Sequence, residues 1–154
     1  MAGRGTPAIV AAERAGVTFT VHEYAHDPKV ASYGLEAAEK LGIDPAHVFK
    51  TLVADVDGTL TVAIVPVTSQ LDLKALGKRV TMADPKLAER TTGYVTGGIS
   101  PIGQRKRLPT LLDESALGFD TIHVSAGRRG LEIELAPSDL LELTGGSARR
   151  IATA

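Results

Sequence analysis

The stretch Ala46–Val67, AHVFKTLVADVDGTLTVAIVPV, decides how this chain is read. Val48 to Val56 and Leu60 to Val67 are apolar runs rich in β-formers, and Asp57-Gly58 lies between them. Both central positions of a two-residue hairpin turn favour φ > 0, so the spacing predicts two antiparallel strands joined by a tight turn. Alternate residues of a strand share a face, which puts Val48, Lys50, Leu52, Ala54 and Val56 in one row. All but Lys50 are apolar. A lysine in such a row reaches past the rim to solvent, loses its proton or meets an anion. The sequence leaves two of these open: a snorkelling rim lysine, or a cation at the mouth of a pocket for phosphate or carboxylate.

The turn itself carries a rival reading. LVADVDGTL has the spacing of the haloacid dehalogenase-like phosphatases, with Asp55 and Asp57 as the acid pair and Thr59 as the third position. That chemistry also needs a downstream lysine and an acidic magnesium pair after a later strand. LLDES at Leu111–Ser115 is a weak match to the latter. The run after DGTL is again β-like, so the hairpin is the better account of the motif.

Working outward, Thr6-Pro7 reads as an N-cap and first helical position, with a helix to Ala15 and a left-handed stop at Gly16. Val17–Tyr24 alternates and reads as a strand that His26–Pro28 breaks. YGLEAAEKLG predicts a short helix ending at Gly42, and Asp44-Pro45 starts one helical turn. LDLKALGK predicts another short helix, and Asp84-Pro85 opens a further one. TGGISPIG is a glycine-rich loop. LPTLLD, FDTIHVSAG and LEIELA read as strands, PSDLLEL as a final helix and ARRIATA as a tail or last strand. Helices interspersed with six or more strands, several of them in hairpins, favour an α+β fold with a mixed sheet or small barrel over a doubly wound parallel sheet.

The 154 residues suit a single domain spanning 1–154, and 44% apolar content excludes global disorder. There is no long apolar run for a membrane span, and the N-terminus makes a poor secretory signal, so a cytoplasmic address is expected. With no cysteine, thiolate metal sites and cysteine nucleophiles are excluded. A formal net charge of −1 provides no global attraction to nucleic acid, and no DNA partner is expected. Anion binding must come from local clusters: Gly77–Arg79, Arg105–Arg107 and Arg128–Arg129.

Four histidines, His22, His26, His47 and His123, show no metal-ligand spacing, so neither metal nor cofactor is expected. No G-x-S-x-G elbow is present, and Ser100, Ser125 and Ser138 have no base visible in the sequence. TGGISP, Thr96–Pro101, is more suggestive. Adjacent glycines let a backbone approach a ligand and present N–H groups, and IGQRKR follows at once. A plain solvated basic turn competes with that account.

Several stretches together, HEYAHDP, VFKTLV, QLDLK, MADP, TTGYVTGGISPIGQRKRLPT, VSAGRRGLEIEL and PSDL, resemble the YbaK family of bacterial Cys-tRNA(Pro) deacylases, related to the editing insertion of prolyl-tRNA synthetases. The resemblance runs in one order over nearly the whole chain. It implies a mixed α/β fold built on a six-stranded barrel-like sheet surrounded by short helices. It implies an aminoacyl-tRNA deacylase that removes cysteine from mischarged tRNA(Pro), a trans-editing step needed because a pocket cannot strongly reject a near-isostere. In that family the substrate thiol is thought to attack its own ester, so the protein acts mostly by orientation and needs no nucleophile or cofactor.

The resemblance also implies roles. Lys50 becomes the catalytic residue, facing the phosphate–ribose end of the tRNA. Thr51 and Tyr24 border the pocket. Gly97, Gly98, Ile99, Ser100 and Pro101 form the loop whose backbone donors meet the ester or ribose, and Ser125, Gly127 and Asp139 complete the binding set. Ala25 departs mildly from a position where an acid is common. The acceptor end of aminoacyl-tRNA is the expected partner, with prolyl-tRNA synthetase as a further one and no membrane. A non-catalytic tRNA- or synthetase-binding module is the alternative, to be told apart by salt-sensitive binding without hydrolysis.

Overall fold

Three of the four α-helices start on a proline in the first turn, where its missing N–H costs no hydrogen bond. In the computed structural model, which describes residues 5–29 and 33–153, α1 spans Pro7–Ala15, α2 Tyr33–Leu41, α3 Pro85–Thr92 and α4 Pro137–Thr144. The first four residues of the segment read against a secretory signal lie outside that range. Thr6 caps α1 by accepting from the Ile9 N–H at 3.3 Å, and Asp84 caps α3 by accepting from Leu87 at 3.2 Å. No helix among the described residues is long and apolar enough to cross a membrane.

The eight strands are β1 Phe19–Glu23, β2 Phe49–Val56, β3 Thr59–Pro66, β4 Val80–Met82, β5 Thr110–Asp113, β6 Ile122–Arg128, β7 Leu131–Leu135 and β8 Ser147–Arg149. The predicted hairpin is β2–β3, paired from Phe49↔Pro66 to Val56↔Thr59. Its turn residues Asp57 and Gly58 have φ of 50° and 92°, as a two-residue turn of this hand requires. A five-stranded mixed sheet runs in the order β4-β2-β3-β5-β8, and an antiparallel three-stranded sheet runs β1-β7-β6.

The mixed α+β fold forms as expected, and among the described residues its strands make two sheets and no closed barrel. Two sheets meet through one parallel bridge, Val48↔His123. The ladder stops there for two reasons. β6 is irregular between Ser125 and Arg128, and β2 beyond the bridge faces an open cavity instead of a partner strand. LDLKALGK makes only one 3₁₀ turn, Leu73–Ala75, which leaves Leu73 and Lys74 exposed and buries only Leu76 after it, too short an apolar face to hold a full helix. The edge strand β4 escapes sequence reading because it is three residues long and largely solvated.

The main core fills the space between the sheets, where Val53, Val62, Ile64 and Leu112 meet Ile122, Val124, Ile133 and Leu135 under α1 and α4. A smaller cluster of Ala54, Ala63, Val65, Leu76 and Ile151 covers the outer face of the large sheet. Asp113 fastens the C-terminus to it, its carboxylate accepting from the Ile151 and Ala152 N–H groups at 2.9 Å each and from Ser115.

Candidate active site

Tyr24, Lys50, Thr51, Gly97, Ile99 and Ser125, drawn from distant parts of the sequence, line one cavity of about 390 Å³. Five consecutive residues of β2, Phe49 to Val53, contribute to its wall. Neighbouring strand residues point to opposite faces, so such a run can line one cavity only where the cavity looks onto the edge of the strand. That edge is open because β4 pairs β2 only at Ala54–Val56. The position of Lys50 follows. It belongs to the row of Leu52 and Ala54, but at an unpaired edge its chain reaches the cavity from beside the sheet. It forms no hydrogen bond or ion pair among the described residues. Thr51, from the opposite face, presents a buried hydroxyl that also has no partner.

The glycine-rich loop forms the facing wall and is held by side chains. The Glu89 carboxylate accepts from the Thr96 N–H at 2.8 Å, and that bond keeps the acid below its ordinary range. Arg129 donates to the Thr96 carbonyl at 3.2 Å, and the Ser125 hydroxyl donates to the Gly98 carbonyl at 3.2 Å. Gly97 has φ of 91°, a conformation glycine reaches without strain. A Cβ on Gly98 would come within 2.8 Å of the Arg128 Cα, so the loop packs on the β6–β7 turn at backbone distance. The Gly98 N–H is spent on the Val95 carbonyl at 2.9 Å, which removes it from the donors expected for a ligand.

The remaining expected residues are supports, by position. Ser100 is fully buried, with its hydroxyl accepting from the Ile102 N–H at 3.2 Å. Pro101 is buried and faces a separate small hollow beside Ala11 and Gln104. Gly127, with φ of 117°, leaves room for Tyr94, whose Cε1 would lie 2.8 Å from an added Cβ. Tyr94 in turn donates to the Ile102 carbonyl at 2.6 Å. Asp139 sits in the first turn of α4 and does not line the cavity. The phosphatase reading meets a structural objection. Asp55 accepts from the Gly58 N–H at 2.8 Å, and Asp57 accepts from the Arg79 N–H at 2.7 Å, so one carboxylate serves the turn and the other ties it to the segment before β4.

Sequence reasoning missed Glu132. It lies on β7 opposite Ser125, lines the cavity, and is 7% exposed. Burial alone pushes its carboxyl up to about 8, because no charge or donor among the described residues compensates its desolvation. Tyr24 across the cavity is pushed up to about 12, by its own burial first and by Glu132 second. The signal was available in LEIELA: alternation turns Leu131, Ile133 and Leu135 to the core and Glu132 and Glu134 to the other face. Only the fold shows that this face is enclosed. Arg128 and Arg129, one of the basic clusters, stand at the rim. Beneath Tyr24, the buried Glu36 binds the His26 ring at 2.7 Å and the Asp27 N–H at 2.8 Å, fixing the segment after β1.

A cavity with an ammonium at its mouth, a carboxyl and a hydroxyl inside, none of the three paired among the described residues, and a backbone loop opposite is suited to an ammonium-bearing group joined to an anionic chain. Comparison with known proteins gives the class first: residues 27–143 match the family of aminoacyl-tRNA editing domains. The chain belongs to that family. It is 48% identical over 122 residues, 75% of this chain and 74% of the other, to an Enterococcus faecalis protein named "Putative Cys-tRNA(Pro)/Cys-tRNA(Cys) deacylase EbsC". It is 27% identical over 114 residues, 71% of this chain and 73% of the other, to the uncharacterized Bacillus subtilis protein YwhH. A crystal structure described as "a putative trans-editing enzyme for prolyl tRNA synthetase" superposes with a TM-score of 0.82 at 25% identity, covering 99% of this chain and 97% of that one.

Proposed function

We propose that the protein is a trans-editing deacylase that frees tRNA(Pro) from mistakenly attached cysteine. The observation that carries this reading is the cavity at the open edge of β2, where Lys50 has no counter-ion among the described residues and the glycine-rich loop stands opposite. The Lys50 ammonium would meet the phosphate–ribose end of the acceptor strand. Thr51, Tyr24 and Ser125 would border the aminoacyl group, and the Glu132 carboxyl would accept from its α-ammonium. Gly97 and Ile99 would approach the ester, with Gly98, Ser100, Pro101 and Gly127 holding the loop in shape. Asp139 would act through α4.

The substrate's own thiol would attack the ester carbonyl. A C–S bond forms as the C–O bond to the tRNA ribose breaks, the thiol proton passes to the leaving oxygen, and a cyclic thiolactone departs. The protein contributes position, which can supply a large share of the barrier when reacting atoms are held in contact. Similarity to EbsC and to the trans-editing structure supports the substrate class, and prolyl-tRNA synthetase is the proposed source of the mischarged tRNA. The test is release of cysteine from preformed Cys-tRNA(Pro), with Ala-tRNA(Pro) and Ser-tRNA(Pro) as controls. Wild type should release cysteine well above the spontaneous rate and Lys50→Ala should not. Serine should be cleaved poorly, because a hydroxyl is the weaker nucleophile. Loss of cysteine at the spontaneous rate with wild-type protein would overturn the reading.

A further inference from the structure

We propose that His22, His123 and Glu134 form a binding site for one divalent transition-metal cation of the zinc class, tying together the three strands of the small sheet. The residues come from β1, β6 and β7, one from each strand. Register explains their meeting: His123 lies opposite Glu134, and His22 lies opposite Glu132, two residues along β7. Partners in register point to one side of a sheet, so all three project from the face opposite the core residues Ile133 and Leu135.

The geometry is near that of a metal site. One donor atom from each residue lies within 4.8 Å of those of the other two. The His22 Nε2 is 2.9 Å from one Glu134 oxygen, and the His123 Nε2 is 3.9 Å from the other. Donors that each sit about 2.1 Å from a zinc ion are at most about 4.2 Å apart, so less than an ångström of side-chain motion closes the site. His22 and Glu134 have 31% and 28% side-chain exposure, which gives that freedom and a route for the ion. Two imidazoles and one carboxylate, with water in a fourth position, make a donor set that suits zinc and not magnesium or calcium.

His123 is the observation that points to a ligand. Its side chain is 5% exposed, yet neither ring nitrogen makes a hydrogen bond among the described residues. The contact to Glu134 is too long to count as one. Glu134 is already oriented, because the Thr121 hydroxyl donates to its second oxygen at 2.6 Å. Such support fixes a carboxylate ligand before the ion arrives. His123 is also the residue that bridges to Val48, so an ion here would brace the seam between the sheets.

The test uses untagged full-length protein stripped with chelator and titrated with Zn²⁺, with Mg²⁺ as a control and Co²⁺ as a spectroscopic probe. Expected are one Zn²⁺ per chain, a rise in melting temperature, a Co²⁺ d–d band and no saturable response to Mg²⁺. His22→Gln and Glu134→Gln should each weaken Zn²⁺ binding at least about tenfold, the scale on which lost metal partners act. His47→Gln should not, since that ring packs on Phe119 at 4.0 Å outside the group. Absence of saturable Zn²⁺ binding, or affinity unchanged in both His22→Gln and Glu134→Gln, overturns the proposal. Because His22 is partly exposed, its variant remains informative if Glu134→Gln folds poorly.

Discussion

The Ser125 hydroxyl donates to the Gly98 carbonyl at 3.2 Å, joining β6 to the glycine-rich loop across 27 residues of sequence. The same oxygen accepts from the Gly127 N–H at 3.2 Å, so one side chain holds both the loop and the β6 irregularity. Ser125→Ala should cost about 1 kcal/mol of stability, the usual net value of a hydrogen bond. Its larger effect should fall on turnover, because on the proposed reading a loop displaced at the cavity wall would misplace the ester. Deacylation kinetics that leave kcat intact while stability falls would separate the two roles.

Glu132 sets a pH dependence of stability with an unusual sign. An acid raised from its ordinary 4.5 to about 8 in the folded state holds its proton more tightly when folded. Its contribution is fully present below the unfolded value and is lost as pH rises through the folded one. Glu132→Gln should therefore gain on wild type as pH rises from 4.5 to 8, by roughly 4 kcal/mol over that interval. Denaturant melts of both proteins at several pH values check this. Parallel curves would show that the carboxyl is not held in its neutral form.

Asp113 acts in the opposite sense. Burial raises its carboxyl, but the Ser115 hydroxyl and the N–H groups of Ile151, Ala152 and Ser115 outweigh burial and hold it below the ordinary 3.8. The stability it confers is present above that value and lost as pH falls through the folded one. Asp113→Ala leaves the buried Ile151 N–H and the half-buried Ala152 N–H unpaired and should cost about 2–3 kcal/mol near neutral pH. Hydrogen exchange should show the loss first at Ile151 and Ala152.

Gly98→Ala puts a methyl group 2.8 Å from the Arg128 Cα, a contact with backbone that cannot rotate away. The loop must shift, at a cost of about 1–3 kcal/mol. Gly16→Ala is a useful comparison, since the added Cβ there meets nothing within 4 Å and only the φ of 71° is strained. Deacylation by Gly98→Ala should fall while Gly16→Ala retains it. Equal losses would point to stability and not to loop position.

What the sequence disclosed depended on the range of the physics involved. The β2–β3 hairpin was legible because its turn chemistry is local to Asp57 and Gly58. The helix starts at Pro7, Pro85 and Pro137 were legible for the same reason. Periodicity flagged Lys50 as odd, but periodicity describes faces, and its setting is an edge that becomes visible only once the length of β4 is known. Glu132 passed as an ordinary outward residue of an alternating strand. His22 and His123 looked unrelated at 101 positions apart, because β-sheet neighbours need share nothing in sequence. How far the two sheets close on one another was not legible, because it turns on the irregular β6 and a single bridge, details no strand pattern encodes.

That single bridge has a further consequence. Lys50 and Thr51 stand on one sheet and Ser125 and Glu132 on the other, and among the described residues the strands of the two sheets pair only at Val48 and His123, the rest of their contact being the side chains of the main core. The width of the cavity is thus set by the packing between its two walls and not within either of them. On the proposed reading, a change of volume in the shared core, at Ile64 or Val124, should alter which amino-acid sizes are accepted without touching a lining residue.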